Sequence, residues 1–164
     1  MGVKLYNKKD ECTGCWACYN ICPQNCISMA FDDEGFRYPE IDHEKCISCY
    51  KCVNVCPINK NNDTNNYEKP IFYTAISKDK KTLDRSSSGG VFSILAKETI
   101  SKGGVAYGCI LDEDMRAKHI GITSIEQLME MRGSKYVQSD INESYIDVKK
   151  QLEFGKKVLY SGVP

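Results

Sequence analysis

Two stretches decide how this chain is read. The first is Cys12-Thr13-Gly14-Cys15-Trp16-Ala17-Cys18-Tyr19-Asn20-Ile21-Cys22-Pro23, and the second is Cys46-Ile47-Ser48-Cys49-Tyr50-Lys51-Cys52-Val53-Asn54-Val55-Cys56-Pro57. Both follow C-x-x-C-x-x-C-x-x-x-C-P, in register at an offset of 34 residues that Asn20 and Asn54 also keep. The region is therefore an internal duplication as well as a shared motif.

Three thiolates spaced by two residues wrap one loop around three iron corners of a cubane cluster, and the fourth corner needs a ligand from elsewhere. In a two-cluster ferredoxin arrangement each motif's fourth cysteine reaches across to the other cluster. The spacing thus assigns one 4Fe-4S cluster to Cys12, Cys15, Cys18 and Cys56, and the other to Cys46, Cys49, Cys52 and Cys22. Gly14 lets the backbone pass close to inorganic sulfide, and Pro23 and Pro57 turn the chain away after the last ligand. The competing readings are structural zinc and a disulfide framework. Zinc knuckles pair two C-x-x-C units and have no use for a third cysteine at the same step followed by Cys-Pro. Disulfides require an exported chain, and cysteines this crowded are poorly placed to pair in order.

Cys26 follows Cys22 by four residues and has no counterpart in the second copy, where Lys60 stands. A spare ligand is one reading; a small soft residue packed against the cluster is the favoured one. Trp16 and Tyr50, each after the second cysteine of its loop, read as walls that exclude water.

Around these loops, Val3–Tyr6 reads as a short strand, Trp16–Cys22 as a helical turn, and Ile27–Phe31 with Phe36–Ile41 as a hairpin about Asp32-Asp33-Glu34-Gly35. Such a unit buries little apolar core, so the clusters act as its cross-links and the apo form is expected to unfold. Residues 59–70 are almost wholly polar and form a linker.

Beyond it, Ile71–Ser77 reads as a strand, and the charged residues after it as a turn. Arg85-Ser86-Ser87-Ser88-Gly89-Gly90 opens a helix whose apolar residues Val91, Ile94 and Leu95 fall at helical spacing, stopped by Gly103. Val105–Leu111 and Lys118–Thr123 read as strands. Ser124 and Gln127 suggest a capping box for a short helix carrying Ile125, Leu128 and Met129, closed by Gly133. Ile141, Tyr145, Val148 and Leu152 line a further helix ended by Gly155, and Lys157–Tyr160 is a last strand. The expected fold is α+β: a ferredoxin-like domain carrying the two 4Fe-4S clusters, then an α/β domain with a mixed sheet.

Lys plus Arg and Asp plus Glu are both 22, so no charge excess points to nucleic acid or an acidic membrane surface. No apolar run approaches 18 residues, so no membrane span is expected, and Met1–Asp10 shows no secretory signal. Thiolate-ligated clusters fit a reducing cytoplasm. His119 and His43 read as ordinary core or surface residues, and Cys109 as a small buried strand residue rather than a nucleophile.

In the second half, Ser87, Ser88, Gly89 and Gly90 at a helix start suit an anion, with plain helix capping as the competing reading. Arg132-Gly133-Ser134-Lys135-Tyr136 offers two cations, a turn and an aromatic ring; the competing reading is a helix C-terminus with favourable charges.

Ser86-Ser87-Ser88-Gly89-Gly90-Val91-Phe92, Gly104-Val105-Ala106-Tyr107-Gly108, Arg132-Gly133-Ser134-Lys135-Tyr136-Val137-Gln138-Ser139 and Gly155-Lys156-Lys157-Val158-Leu159-Tyr160-Ser161-Gly162-Val163-Pro164 occur in one order. Together they resemble the coenzyme F-420 hydrogenase/dehydrogenase beta-subunit family, in its branch with an N-terminal two-cluster ferredoxin domain. The resemblance covers residues 1–58 as the ferredoxin domain and 71–164 as the N-terminal part of the family's domain. Family chains continue into a large C-terminal region, so a fragment or truncated product is expected. Members bind FAD and, in methanogens, exchange hydride with the deazaflavin; related enzymes act on other substrates, including chlorophyll derivatives. The resemblance implies that Ser87, Ser88, Gly89, Gly90, Arg132, Ser134 and Lys135 lie near FAD. It also implies an oxidoreductase whose partners are a redox protein or a hydride-carrying small molecule. A non-enzymatic electron carrier with an accessory docking domain is the alternative. No catalytic acid or base is identified.

Overall fold

The computed structural model describes residues 2–59 and 71–162, in two compact units divided between Pro70 and Ile71. Of the linker expected over 59–70, only Asn59 lies among the described residues, and its side-chain amide donates to the Leu5 carbonyl at 3.2 Å.

In the first unit, a 3-10 turn at Lys9–Glu11 leads into the first cysteine loop and helix α1 (Ala17–Ile21). Strands β1 (Ile27–Phe31) and β2 (Arg37–Ile41) pair antiparallel, Ile27 opposite Ile41 and Phe31 opposite Arg37, as the alternation of apolar residues predicts. Asp32 builds the turn: its Oδ1 accepts from the N–H groups of Glu34 and Phe36 at 3.1 and 2.8 Å. The second loop and helix α2 (Lys51–Val55) follow, and α2 packs on α1. The core is small: Val3, Leu5, Cys26, Ile27 and Cys52.

Val3–Tyr6 is not a strand. Val3 and Leu5 are buried with Lys4 exposed between them, so the alternation is real, but among the described residues no ladder partner runs alongside. Alternating burial creates a strand only where a neighbour takes the backbone hydrogen bonds.

The second unit begins at 71–77, which is also not a strand. Ile71, Phe72 and Tyr73 are exposed, and the backbone reaches the fold at Ser77, whose N–H donates to Gly89 O at 2.7 Å. Helix α3 (Lys80–Asp84) follows where the sequence reads as a charged turn. Asp79 caps it, accepting from the N–H groups of Lys81 and Thr82. Helix α4 (Val91–Ser101) leads to β3 (Val105–Leu111) and β4 (Ala117–Ile122), then α5 (Leu128–Met131), α6 (Ser144–Glu153) and β5 (Val158–Tyr160). The sheet order is β4-β3-β5, antiparallel on one side of β3 and parallel on the other. This is the expected mixed sheet in an α+β chain.

Successive residues of β3 face opposite sides of this sheet. Ala106 packs with Ala96 and Ile100 of α4 and Leu128 and Met131 of α5, whereas Tyr107 turns to Asp147 of α6. The sheet is covered by α4 and α5 on one face and by α6 on the other. The Ser124 capping box does not form: α5 starts three residues later, after Gln127, whose side chain makes no cap. Leu128 and Met131 provide the burial there, while Ile125 and Met129 are exposed. Ile141 is buried ahead of α6 rather than on it, and Leu152 is exposed.

Candidate metal centres

The duplication reappears in backbone geometry. Gly14 and Trp16 have φ of 61° and 64°, and their counterparts Ser48 and Tyr50 have 54° and 56°. Residues flanking Cys15 and Cys49 are thus all left-handed. Glycine adopts that region freely; serine, tryptophan and tyrosine do so at an energetic disadvantage that the surrounding fold must offset. Alternating left-handed residues turn backbone N–H groups toward a common concavity suited to an anionic cluster. Trp16 and Tyr50 are the N-caps of α1 and α2, which places Cys18 and Cys52 on the first helical turn and Cys22 and Cys56 at the C-caps.

Two cavities result. Cys12, Cys15 and Cys18 line one of them, and the fourth cysteine on its wall is Cys56 from the other repeat; Trp16, Tyr6, Met29 and Pro39 complete it. Cys46, Cys49 and Cys52 line the other together with Cys22, alongside Ile27, Ile41 and Tyr50. The spaces measure about 430 and 330 Å³ with their open mouths. Among the described residues no three His, Cys, Asp or Glu groups converge on one metal position. Sulfur ligands dispersed around an enclosed space suit a multi-iron cluster, so this donor set fits the group that the spacing implies.

Burial sets the protonation of the thiols within the cavities. Burial, followed by the neighbouring Cys15, pushes the Cys18 thiol up to about 12. Burial likewise raises Cys12 and Cys52. Left alone these thiols stay protonated, and iron displaces the proton because it supplies the positive charge a buried thiolate lacks. Cys22 moves the other way. Burial raises it, but N–H groups of Cys26, Gln24 and Asn25 and the Cys26 thiol donate to its sulfur, and the balance is a lowered pKa.

Trp16 is 4% exposed and forms a wall, whereas Tyr50 is 51% exposed and covers only part of its side. Arg37, which its strand position alone did not single out, lies against the first loop's wall. Its guanidinium carbon is 3.9 Å from the Phe31 ring centroid and 5.7 Å from that of Trp16.

In the second unit the two polar segments meet. The Ser134 N–H donates to Ser87 Oγ at 3.0 Å across 47 residues of chain. Gly90, φ 77°, is the N-cap of α4, and among the described residues no side chain caps that helix. Ser87, Ser88 and Ser134 are exposed, and Gly89 has the Ala75 carbonyl 2.2 Å from where a Cβ would stand, so no larger residue fits without a shift. Lys135 Nζ donates to the carbonyls of Glu130 and Arg132, both at 2.9 Å. Arg132 Nε is buried and meets no acceptor among the described residues. Cys109, expected to be buried in β3, is only half-buried.

His119 is the residue whose role sequence reasoning missed. It is 9% exposed on β4, with Nδ1 2.7 Å from Ser139 Oγ and Nε2 2.9 Å from Ser161 O. A carbonyl only accepts, so Nε2 carries the proton and Nδ1 accepts from the Ser139 hydroxyl. Its ring stacks on Tyr160, which stacks in turn on Tyr107, and the Tyr107 hydroxyl donates to Asp147. The partners lie 20 and 42 residues away, so no local pattern reveals them.

Comparison with known families agrees with both halves. Residues 11–60 match the 4Fe-4S dicluster domain. Residues 72–145 match the N-terminal region of the coenzyme F420 hydrogenase/dehydrogenase beta subunit. The first half is thus an iron-sulfur electron-transfer module. Over residues 72–145 the chain is similar to the coenzyme F420 hydrogenase/dehydrogenase beta-subunit family, in the form that carries such a module ahead of it. No curated protein matches the chain. Among the described residues no helix is long and apolar enough to cross a membrane.

Proposed function

We propose that the chain relays electrons through two 4Fe-4S clusters to a flavin that exchanges hydride with a deazaflavin or another small substrate. Cys12, Cys15, Cys18 and Cys56 hold one cluster, and Cys46, Cys49, Cys52 and Cys22 the other. The observation that carries this reading is the crossed lining of the two cavities, each with three cysteines of one repeat and the fourth of the other. A zinc knuckle or a disulfide framework gives no reason for that exchange.

Ser87, Ser88, Gly89, Gly90, Arg132, Ser134 and Lys135 hold the FAD. Support comes from the Ser134–Ser87 hydrogen bond, the uncapped N-terminus of α4 and the unpaired Arg132 Nε, all suited to phosphate oxygens. Bound there, a flavin supplies the conversion between a two-electron hydride and the single electrons that clusters carry. The chain's own residues bind and orient it, and the electron donor or acceptor on the cluster side is a partner redox protein. The protein functions in the cytoplasm, where thiolate ligands stay reduced.

Iron, sulfide and flavin analysis of anaerobically purified chain, with its absorption spectrum, tests the proposal. About eight irons and one FAD per chain are expected. Eight irons without flavin would reduce the function to that of a ferredoxin-type carrier, and fewer than four would remove the cluster assignment.

A further inference from the structure

His119 directs both ring nitrogens away from its own strand. Nδ1 accepts from the Ser139 hydroxyl at 2.7 Å, and Nε2 donates to the Ser161 carbonyl at 2.9 Å. The ring is held from several sides. It lies against Tyr160 with centroids 5.4 Å apart and planes 10° apart. The His119 main-chain N–H donates to the Asp140 carbonyl at 3.0 Å, and the Ser144 hydroxyl donates to the His119 carbonyl at 3.1 Å. A side chain locked in this way is a fixed point to which a looser segment can be tied.

That segment is 132–139, which leaves α5 and ends where Asp140 bridges to Lys118 on β4. Its first half is fixed by the Ser134 N–H on Ser87 Oγ and by Lys135 Nζ on the carbonyls of Glu130 and Arg132. Tyr136 and Val137 are then exposed, so burial does not set their course. Ser139, tied to His119, fixes the far end. A buried histidine needs hydrogen bonds wherever it lies, which accounts for its having two partners. It does not account for one of them closing the segment that carries Arg132, Ser134 and Lys135.

We propose that His119 is a positioning residue for the flavin site, holding Ser139 so that Arg132, Ser134 and Lys135 keep the geometry that grips the pyrophosphate. This inference rests on the flavin reading proposed above. The hold requires a neutral ring. Facing the imidazole are the Ser139 hydroxyl, the Ser161 carbonyl, the Tyr160 ring, Cys109 opposite on β3 and Ser144 at the start of α6. Of the charged groups on these elements, Lys118 pairs with Asp112, and Asp147 on α6 accepts from Tyr107. Neither Asp147 nor Asp140 offsets a charge on the ring: burial disfavours its protonation, and only the Ser161 carbonyl opposes this. A second ring proton therefore places an uncompensated charge in a buried site, and release of Ser139 with its segment relieves it.

The test titrates the anaerobically purified, cluster-loaded full chain with FAD and reads binding from the quenching of flavin fluorescence. Ser139→Ala leaves the buried ring in place. At pH 7 it should weaken FAD binding about fivefold, the effect of one lost hydrogen bond, while Ser139→Thr should stay within about twofold of the unaltered chain. Equal affinity in Ser139→Ala, or the same loss in Ser139→Thr, overturns the proposal and leaves the flavin site standing. The pH profile of binding separates positioning from mere packing. In the unaltered chain FAD binding should be full above the ordinary imidazole value of about 6.5 and should weaken at least about threefold by pH 5. The amide of His119→Gln accepts from Ser139 and donates to Ser161 without titrating, so its binding should change by less than about 1.5-fold over the same range. The same fall in both proteins overturns the proposal. No FAD binding by the unaltered chain at either pH overturns the flavin reading, and this proposal with it.

Discussion

The two cysteine loops share a backbone and differ in cover. Both flank their second cysteine with left-handed residues and run into a five-residue helix. Around the first loop Trp16 is buried, its edge against Tyr19 with ring centroids 5.2 Å apart, and Arg37 lies over its ring. Around the second, Cys49, Tyr50 and Ile47 are exposed. A duplicated motif thus reproduces the ligand geometry without reproducing the environment. Because solvent access and nearby charge tune a cluster, equal loops give unequal centres.

The largest expected effect breaks the symmetry outright. Cys18→Ala, with its thiol in the first cavity, should abolish the first cluster: about half the iron should go, and the melting temperature of the N-terminal unit should fall with it. Retention of eight irons would remove Cys18 from the ligand set. Next in size is the order of loss. Chelation or air should remove the second cluster before the first, seen as two phases in the bleaching of the visible absorption, because its loop is the one open to water. A single phase would mean that the difference in cover has no chemical consequence.

The walls provide a finer comparison. Trp16→Ala should destabilise the first unit by about 3–5 kcal/mol, the range for a deleted buried aromatic ring, and Tyr50→Ala by no more than about 1 kcal/mol. Denaturant unfolding of the cluster-loaded protein measures both. In the second unit, Ser87→Ala should lower flavin retention by a factor of about 5, taking the lost hydrogen bond at about 1 kcal/mol, while leaving iron content unchanged. Equal flavin content in the variant would detach that serine from the proposed site.

The smallest effect is a pH dependence centred on His119. Burial holds its imidazole below the ordinary value, and the hydrogen bond to Ser161 O only partly opposes this. The unfolded chain therefore binds the proton more readily than the folded one. Stability from the neutral ring is complete above the unfolded value of about 6.5 and declines as pH falls below it. The groups facing the ring are the Ser139 hydroxyl, the Ser161 carbonyl and the Tyr160 ring, none of them a carboxylate that would welcome the charge. A proton NMR titration should place the His119 midpoint below 6.5, and the melting temperature of the second unit should fall between pH 7 and 5, less so in His119→Gln. A midpoint at or above 6.5 would contradict the burial argument.

Legibility followed the range of the interaction. The cysteine spacing, the hairpin about Asp32, and the stops at Gly103, Gly133 and Gly155 depend on neighbours in sequence, and each was readable. Val3–Tyr6 and 71–77 carry the composition of strands, but a strand needs a partner, and none of their own residues says whether one exists. Helix α3 was overlooked because its start rests on Asp79 alone, within a run of lysines that reads as a turn. The Ser124 capping box failed for the opposite reason: a local signal was present, yet the burial of Leu128 and Met131 fixed where the helix begins.

By itself the amino-acid sequence determined the chemistry on offer: two sets of four cysteines at cluster spacing and, at the starts and ends of helices, serines, glycines and cations suited to an anion. Ligand type and loop length are local properties, and a repeat of 34 residues records them twice. Only the tertiary structure decided which side chains share a cavity. It set Cys26 beside Cys22, joined Ser87 to Ser134, and enclosed His119 between Ser139 and Ser161, whereas the crossing of Cys56 and Cys22 between the loops was already assigned from the spacing. These encounters depend on how helices and strands pack, a sum of many weak contacts between distant residues that no short stretch of sequence contains.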